Sequence, residues 1–442
     1  MLRVRALSAA TCLIVAILLP HPSLAAEPEA GAESIDGDVP AEVTLDEALR
    51  LAAERSPELQ ARRAEVGQAL ARVVTAKTPT FNPELSISAG QRNSPGGSNT
   101  DSGIEVSQEL ELGGKRRHRK AVAEAEVASA EARYERASQL LAARVALAFA
   151  DSLRTRELLL IEETDVELAT TSADIARKRL DAGAGTDIEV NLSVATSARA
   201  ERRRQQALAA SEAARFVLAE AIGISPADAP TPVGALTAPE PVSVELDALL
   251  ILARARRSDL EALRRDLAAA EARVRLARAE GAPNLRVGLF HDREEGTDEI
   301  TGVTVGIGIP LFNRNRGGVL EARAGGERAR WEATALERVI EREVAEAWSS
   351  LRAAQASAGR FEEEVVGSFQ ENLRLLRRSF EAGKIGVSEV LLFRREFLDA
   401  QRESVEARSD ARRARVLVDF AAGTLELPDH PSSHPESPEA AR

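Results

Sequence analysis

Along the chain the apolar positions change period, and about 200 residues later the same succession of periods returns. From Leu45 and again from Pro57 they recur at three- and four-residue spacing. This predicts two helices, the second entered through Ser56 as N-cap with Pro57 at the first helical position. Over 85–91 and 104–110 the period falls to two, which predicts two strands. Proline is then absent from Gly96 to Ser225, and the helical pattern predicts a long helix over 115–181, a turn at 182–186 and a helix over 187–222. The second passage gives helices from 245, one of them opening at Ser258, and strands over 285–291 and 303–309. Another proline-free stretch, Leu311 to Leu427, carries a long helix over 315–381, a turn at 382–387 and a helix over 388–422.

The two passages align residue by residue. Arg179-Leu180-Asp181-Ala182-Gly183 falls on Ser379-Phe380-Glu381-Ala382-Gly383, Glu189-Val190 on Glu389-Val390, and Leu85-Ser86-Ile87 on Leu285-Arg286-Val287. The chain therefore reads as a leader (1–25), an N-terminal extension (26–43), repeat 1 (44–223), a linker (224–244), repeat 2 (245–423) and a Pro/Ser-rich tail (424–442) whose composition predicts disorder. Pro226, Pro230, Pro232, Pro239 and Pro241 mark the linker as an irregular belt around the middle of the helices.

A helix over 115–181 is about 100 Å long and needs antiparallel partners along that length. The helix over 187–222 covers about half of it, and the helix over 57–77, stacked end to end with the first, covers most of the rest. Ala329, Ala333, Leu336, Ile340, Val344, Ala347 and Leu351 form a coiled-coil seam of small knobs. The strands alternate apolar residues with polar residues or glycine, as transmembrane strands do: Val303, Val305, Ile307 and Ile309 share one face, Thr304, Gly306 and Gly308 the other. Four strands cannot close a barrel, and open edges cannot face lipid, so strands must be pooled between chains; three chains supply twelve. The expected fold is mainly α with a small β part: an α-barrel of long helices and a twelve-stranded barrel in a homotrimer. Glu105, Ser107, Glu109 and Thr304 are the polar candidates for its lumen.

Composition narrows the chemistry. The chain has 442 residues and a net charge of −12; loss of the leader, with Arg3 and Arg5, takes 58 basic residues to 56 against 70 acidic ones, a net −14 that disfavours nucleic acid. Cys12 is the only cysteine and lies in the leader, so the mature chain has no thiol chemistry. Aromatics make up 3%, which suits thin, closely packed helices, and after the leader there is no apolar run of transmembrane-helix length. His118, His291, His430 and His434 are scattered, without helical i, i+4 pairing, so no transition-metal site or other cofactor is expected. Neither paired catalytic carboxylates nor a nucleotide-binding loop emerges, and the reading is a conduit rather than an enzyme.

Two motifs sit at the strand-to-long-helix junctions: Gln108-Glu109-Leu110-Glu111-Leu112-Gly113-Gly114-Lys115-Arg116 and Ile309-Pro310-Leu311-Phe312-Asn313-Arg314-Asn315-Arg316-Gly317. With the duplicated plan, they make the mature chain resemble the TolC-like outer-membrane efflux proteins, in their CzcC-type heavy-metal branch. The resemblance implies a trimeric outer-membrane channel for heavy-metal cations, surrounded by outer-membrane lipid. It further implies a periplasmic adaptor (membrane fusion) protein joining the channel to an inner-membrane pump of the resistance-nodulation-division type. A drug-efflux or type I protein-secretion channel of the same fold is the alternative. A soluble periplasmic coiled-coil adaptor is a third reading, which predicts no strands between its helices.

In the family the two helix turns form the periplasmic tip, where adaptor and channel meet. This implies contact at Gly183 and Gly383, with Arg179 and Leu180 beside them. Asp187, Glu189 and Glu389 follow the turns closely. They are ordinary partners of a helix N-terminus, or, in three copies, a cation-attracting ring at the entrance. Acids of the second turn gate the entrance in relatives; Glu389 falls on one such position and Leu392 on another. Lys115, Arg116, Arg314 and Arg316 stand at the membrane-proximal helix starts, as solvated charges or as contacts for anionic headgroups.

Overall fold

The computed structural model describes residues 40–94, 97–239, 245–294, 298–364, 375, 378–379 and 384–428. The leader, the tail beyond 428 with His430 and His434, and Gly383 lie outside them.

In chain order the elements are β1 (Glu42–Val43), α1 (Leu45–Arg55), α2 (Pro57–Lys77), β2 (Glu84–Ser94), β3 (Gly97–Glu111), α3 (Lys115–Asp181) and α4 (Asp187–Ala221). There follow β4 (Thr231–Pro232), α5 (Leu246–Arg256), α6 (Ser258–Glu280), β5 (Asn284–Glu294), β6 (Asp298–Ile307), α7 (Arg316–Glu364) and α8 (Val387–Ala422). Local chemistry sets the starts. Thr44 and Glu47 form a reciprocal capping box before α1, and Ser56 Oγ accepts the Leu59 N–H at 3.4 Å before α2.

The strands run further than the alternation indicates. The polar stretches 92–101 and 292–299, beyond the alternating segments, largely continue the β2–β3 and β5–β6 pairs, whereas β6 stops at Ile307 rather than 309. Backbone pairing needs no apolar alternation once a hairpin is nucleated, so polar residues extend it. The sheet is antiparallel throughout, in the order β2-β3-β5-β6, and the hairpins of the two repeats meet at β3 and β5, where Val106 faces Leu289.

The helices follow the same order. α3 packs against α2 and α4, and against α6 and α8; α7 packs against α5, α6 and α8. The wall thus has four files, the α2–α4 stack, α3, the α6–α8 stack and α7. Its interior is small: Ala146, Ala150, Ala173 and Ala176 on α3 are buried, as are Ala269, Ala270 and Ala411 on its neighbours. Methyl knobs bring the helix axes close, and larger residues, such as Leu218, Leu260 and Ile340, fill the wider gaps.

The belt is more regular than its prolines suggest. β1 and β4 form a two-stranded parallel pair, with Thr231 N–H on Ala41 O and Val233 N–H on Val43 O, both at 2.8 Å. Arginines strap the linker to the helices: Arg156 Nη1 donates to Pro232 O at 2.7 Å and Arg408 Nη1 to Leu236 O at 2.7 Å. A proline-rich segment has unpaired carbonyls to offer, and arginine donors use them.

Candidate functional site

The sheet is turned inside out relative to a water-soluble one. Leu85, Ile87, Ile104, Val106, Leu289, Val303, Val305 and Ile307 share one face by register and are exposed, Val305 to 67%. The opposite face carries Glu105, Ser107, Glu109 and Thr304, with Gly288, Gly302 and Gly306 between them; Ser107 is buried. An exposed apolar face of this extent requires an apolar neighbour. Glu105 lies in a recess with Ser86, Ser88, Phe290, Asp292 and Thr304. Phe290 belongs to this polar face, its ring lying over Gly302 where any Cβ would collide with it.

At the junction of sheet and helices, Asn284 Nδ2 donates to Glu109 Oε1 at 2.6 Å and Lys115 Nζ donates to Asn284 Oδ1 at 2.6 Å. Lys115 is therefore buried in the polar network of the sheet instead of standing as an interfacial charge, because its helix begins directly beneath that network. Arg116, Arg314 and Arg316 are exposed. Both long helices leave the sheet through a left-handed residue, Gly114 at φ 70° in repeat 1 and Asn315 at φ 53° in repeat 2. Asn315 Nδ2 donates at 2.9 Å to Ala277 O, one of the last carbonyls of α6, and so ties the start of α7 to the end of α6. Sequence reading passed over Asn315; its alignment with Gly114 was the available signal, since asparagine tolerates this conformation.

At the far end of the hairpin, Gly183 (φ 71°) closes a Schellman motif: its N–H donates to Leu180 O at 2.9 Å, and Ala184 N–H donates to Arg179 O at 2.8 Å. Arg179 also turns back on the tip, donating from Nη2 to Ala184 O at 3.4 Å. In repeat 2 the corresponding bond runs from Lys384 N–H to Ser379 O at 2.9 Å. Glu189 forms a capping box with Thr186, accepting the Thr186 N–H at 3.1 Å, and Glu389 accepts the Gly386 N–H at 3.0 Å. Asp187 and Glu389 are exposed and Glu189 half-buried, so the geometry gives both glutamates a helix-capping role and leaves their charge near solvent. Leu392 is 62% exposed, and Val390 of the second tip packs against Ile385 and against Ile175 of α3.

Between the tips and the belt lies a charged cluster that the sequence reading did not anticipate. Asp165, fully buried, accepts from Arg394 of α8 at its carboxylate and at its main-chain oxygen, and from Arg203 of α4. Glu162, one turn away, accepts from Arg203 Nε at 3.3 Å and Arg402 Nε at 2.8 Å. The signal was an acid at four-residue spacing in line with Ile161, Ala169 and Ala173. A second cluster sits at the equator. Arg257, buried, is bound to Asp259 and Glu343, and Arg136 lies over the Phe420 ring 4.4 Å from its centroid. Burial pushes the Asp259 carboxyl up, but the Arg257 hydrogen bond and the charges of Arg136 and Arg257 outweigh it and hold the group below its ordinary range. Burial pulls the Arg136 guanidinium down.

Among the described residues no group of three or more His, Cys, Asp or Glu could hold a metal ion, and no helix is long and apolar enough to cross a membrane.

Comparison with known proteins gives these features a family. Residues 48–223 and 249–424 each match the family described as Outer membrane efflux protein, so the two matched segments coincide with the two halves of the duplication. The chain is 29% identical over 408 residues to protein CyaE of Bordetella pertussis, covering 87% of this chain and 85% of that one. It is also 29% identical over 380 residues to the cobalt-zinc-cadmium resistance protein CzcC of Cupriavidus metallidurans, covering 83% of this chain and 85% of the other. The outer-membrane channel OprN shares the fold at a TM-score of 0.71 and 20% identity, with 86% of this chain and 90% of that one covered. A duplicated chain of long helices, with one small sheet whose apolar face is exposed, belongs to the outer membrane efflux protein family and is a channel of the outer membrane whose helical barrel lies in the periplasm.

Proposed function

We propose that three copies of this chain form a passive conduit for heavy-metal cations, in line with an adaptor protein and an inner-membrane pump. The observation that carries it is the sheet: β2 and β6 each have one free edge, one face is apolar and the other polar. Free edges in lipid are too costly to persist, and pairing β6 of one copy with β2 of the next closes twelve strands around the polar face. The helical wall has free flanks in the same places, at the α2–α4 stack and at α7, so one rotation closes both layers.

The cation preference rests on the charge of that polar face. By register it bears Glu84, Asp101, Glu105, Glu109, Glu111, Asp292, Glu294 and Asp298 against Arg92 and Arg286. An acid-lined lumen favours cations over anions. The likeness to a cobalt-zinc-cadmium resistance protein points to heavy-metal ions among cations. Gly183, Arg179 and Leu180 supply the tip that meets the adaptor, and Asp187, Glu189 and Glu389 line the entrance. No covalent chemistry is assigned to the chain.

The test is a deletion strain carrying the intact pump and adaptor. Its sensitivity to cobalt, zinc and cadmium should rise and be restored by the gene, with a panel of drugs and the pattern of secreted proteins unchanged. Sensitivity to drugs alone, or loss of a secreted protein, would transfer the substrate to the alternative channel classes.

A further inference from the structure

We propose that the strand-to-helix junction binds the headgroups of anionic phospholipids in the periplasmic leaflet of the outer membrane. Arg117, Arg314 and Arg316 supply charge, and the Ile309–Phe312 loop supplies apolar insertion. The proposal rests on the closed-barrel reading above.

Three observations converge. Immediately below the apolar face of the sheet, the chain leaves β6 through Ile309, Leu311 and Phe312, which are 74%, 67% and 100% exposed. In water this is the least favourable place for three large apolar side chains, and at a membrane interface it is an ordinary one. Next, the chain is acidic and many of its arginines are paired with acids, yet among the described residues Arg117 and Arg316 make no ion pair, and both are exposed. Arg314 is held by its Nε on Pro310 O at 3.1 Å, which orders the loop and leaves the rest of its guanidinium uncommitted.

The third observation fixes direction. Lys115 and Arg119 both reach residues of the polar face, Lys115 to Asn284 and Arg119 to Glu111 at 2.7 and 2.9 Å. At about 100° per residue, Arg117 lies roughly opposite to both around the helix, on the apolar side of the sheet. An arginine at the foot of a lipid-facing surface, beside exposed apolar side chains, meets phosphate oxygens at the headgroup level. Its planar fork matches them in two-point contact. Anionic rather than zwitterionic lipid is selected because, among the described residues, no carboxylate pairs with Arg117 or Arg316, while Arg119, one turn from Lys115, is already committed to Glu111. Unpaired positive charge prefers a lipid with a net negative headgroup.

The experiment uses the full mature chain as purified trimers, delipidated in detergent and offered phosphatidylglycerol or phosphatidylcholine, with bound lipid counted by native mass spectrometry. The wild type should retain phosphatidylglycerol preferentially. Arg117→Gln with Arg316→Gln should lower its retention roughly thirtyfold, equivalent to about 1 kcal/mol per arginine, while phosphatidylcholine retention and the trimer are unchanged. Equal phosphatidylglycerol retention in the wild type and the double variant overturns the proposal. A second measurement separates lipid from protein as the cover of the loop. A cysteine introduced as Phe312→Cys should react with a water-soluble maleimide in detergent-solubilised trimers and be protected in phosphatidylglycerol vesicles. Protection already in detergent means that a neighbouring copy covers the loop, which overturns the lipid site. A monomer in detergent would remove the barrel reading and this inference with it, whereas a trimer indifferent to lipid charge removes this inference alone.

Discussion

Gly423 ends α8 in the left-handed conformation and lies so close to Arg256 that a Cβ on it would stand 2.9 Å from the Arg256 carbonyl oxygen. Gly223 stands in the same relation to Arg55, also at 2.9 Å. Each glycine closes one helix against the last residue of another, α1 or α5, just before α2 or α6 begins, so α4 stacks on α2 and α8 on α6, and two short helices match the length of one long one. Replacement of either glycine by alanine combines a left-handed backbone with a backbone collision and should destabilise the chain by about 2–4 kcal/mol. Gly183→Ala, which meets open space, should lose only about 1 kcal/mol. Thermal unfolding of the three purified variants checks the order.

Asp165 is the most exposed to consequence of the buried charges. Asp165→Asn leaves buried Arg394 without its carboxylate and Arg203 with Glu162 alone, and should destabilise by about 3–5 kcal/mol. Asp165→Leu with Arg394→Met removes both members of the central pair and should be less harmful than Asp165→Asn alone. Denaturant unfolding of single and double variants measures the coupling; additive losses would mean that the two residues do not act as a pair.

Glu189 and Glu389 cap their helices, and the entrance ring proposed for them separates experimentally from that role. Glu189→Gln with Glu389→Gln keeps a side-chain oxygen able to accept from Thr186 and Gly386, so stability should change by less than about 1 kcal/mol. Cation preference in planar-bilayer recordings should fall, since the charge is gone. Unchanged selectivity would leave both residues with capping alone.

Asp259 makes stability depend on acid. Its folded-state pKa lies below its unfolded value, so its contribution is present above the ordinary carboxylate range near pH 4 and is lost as pH falls through the folded value. The wild type should lose stability below about pH 4 more steeply than Asp259→Asn, which should be less stable than the wild type at neutral pH. Melting temperatures across that range test the sign.

Asn315 should tolerate glycine better than alanine. Asn315→Gly keeps the left-handed entry to α7 and forfeits the bond to Ala277, about 1 kcal/mol, while Asn315→Ala adds a conformational penalty of about the same size. Comparative unfolding of the two variants decides it.

The sequence by itself determined what depends on neighbours along the chain. Val303, Val305 and Ile307 share a face because strand geometry alternates side chains, and α3 reaches Asp181 because nothing before Gly183 interrupts it. The duplication was legible because both halves retain the same turn residues. Tertiary structure decided whatever depends on residues far apart in sequence. The β3–β5 pairing that joins the repeats has no local signature, and neither has the parallel pairing of β1 with β4. Lys115 reads as a surface charge until Asn284, 169 residues later, takes its ammonium into the sheet network. Asp165 reads as a solvated acid until arginines from α4 and α8 close over it. A charge can be buried only when its partners arrive together, and their arrival is set by how the helices pack and not by the residues that flank it.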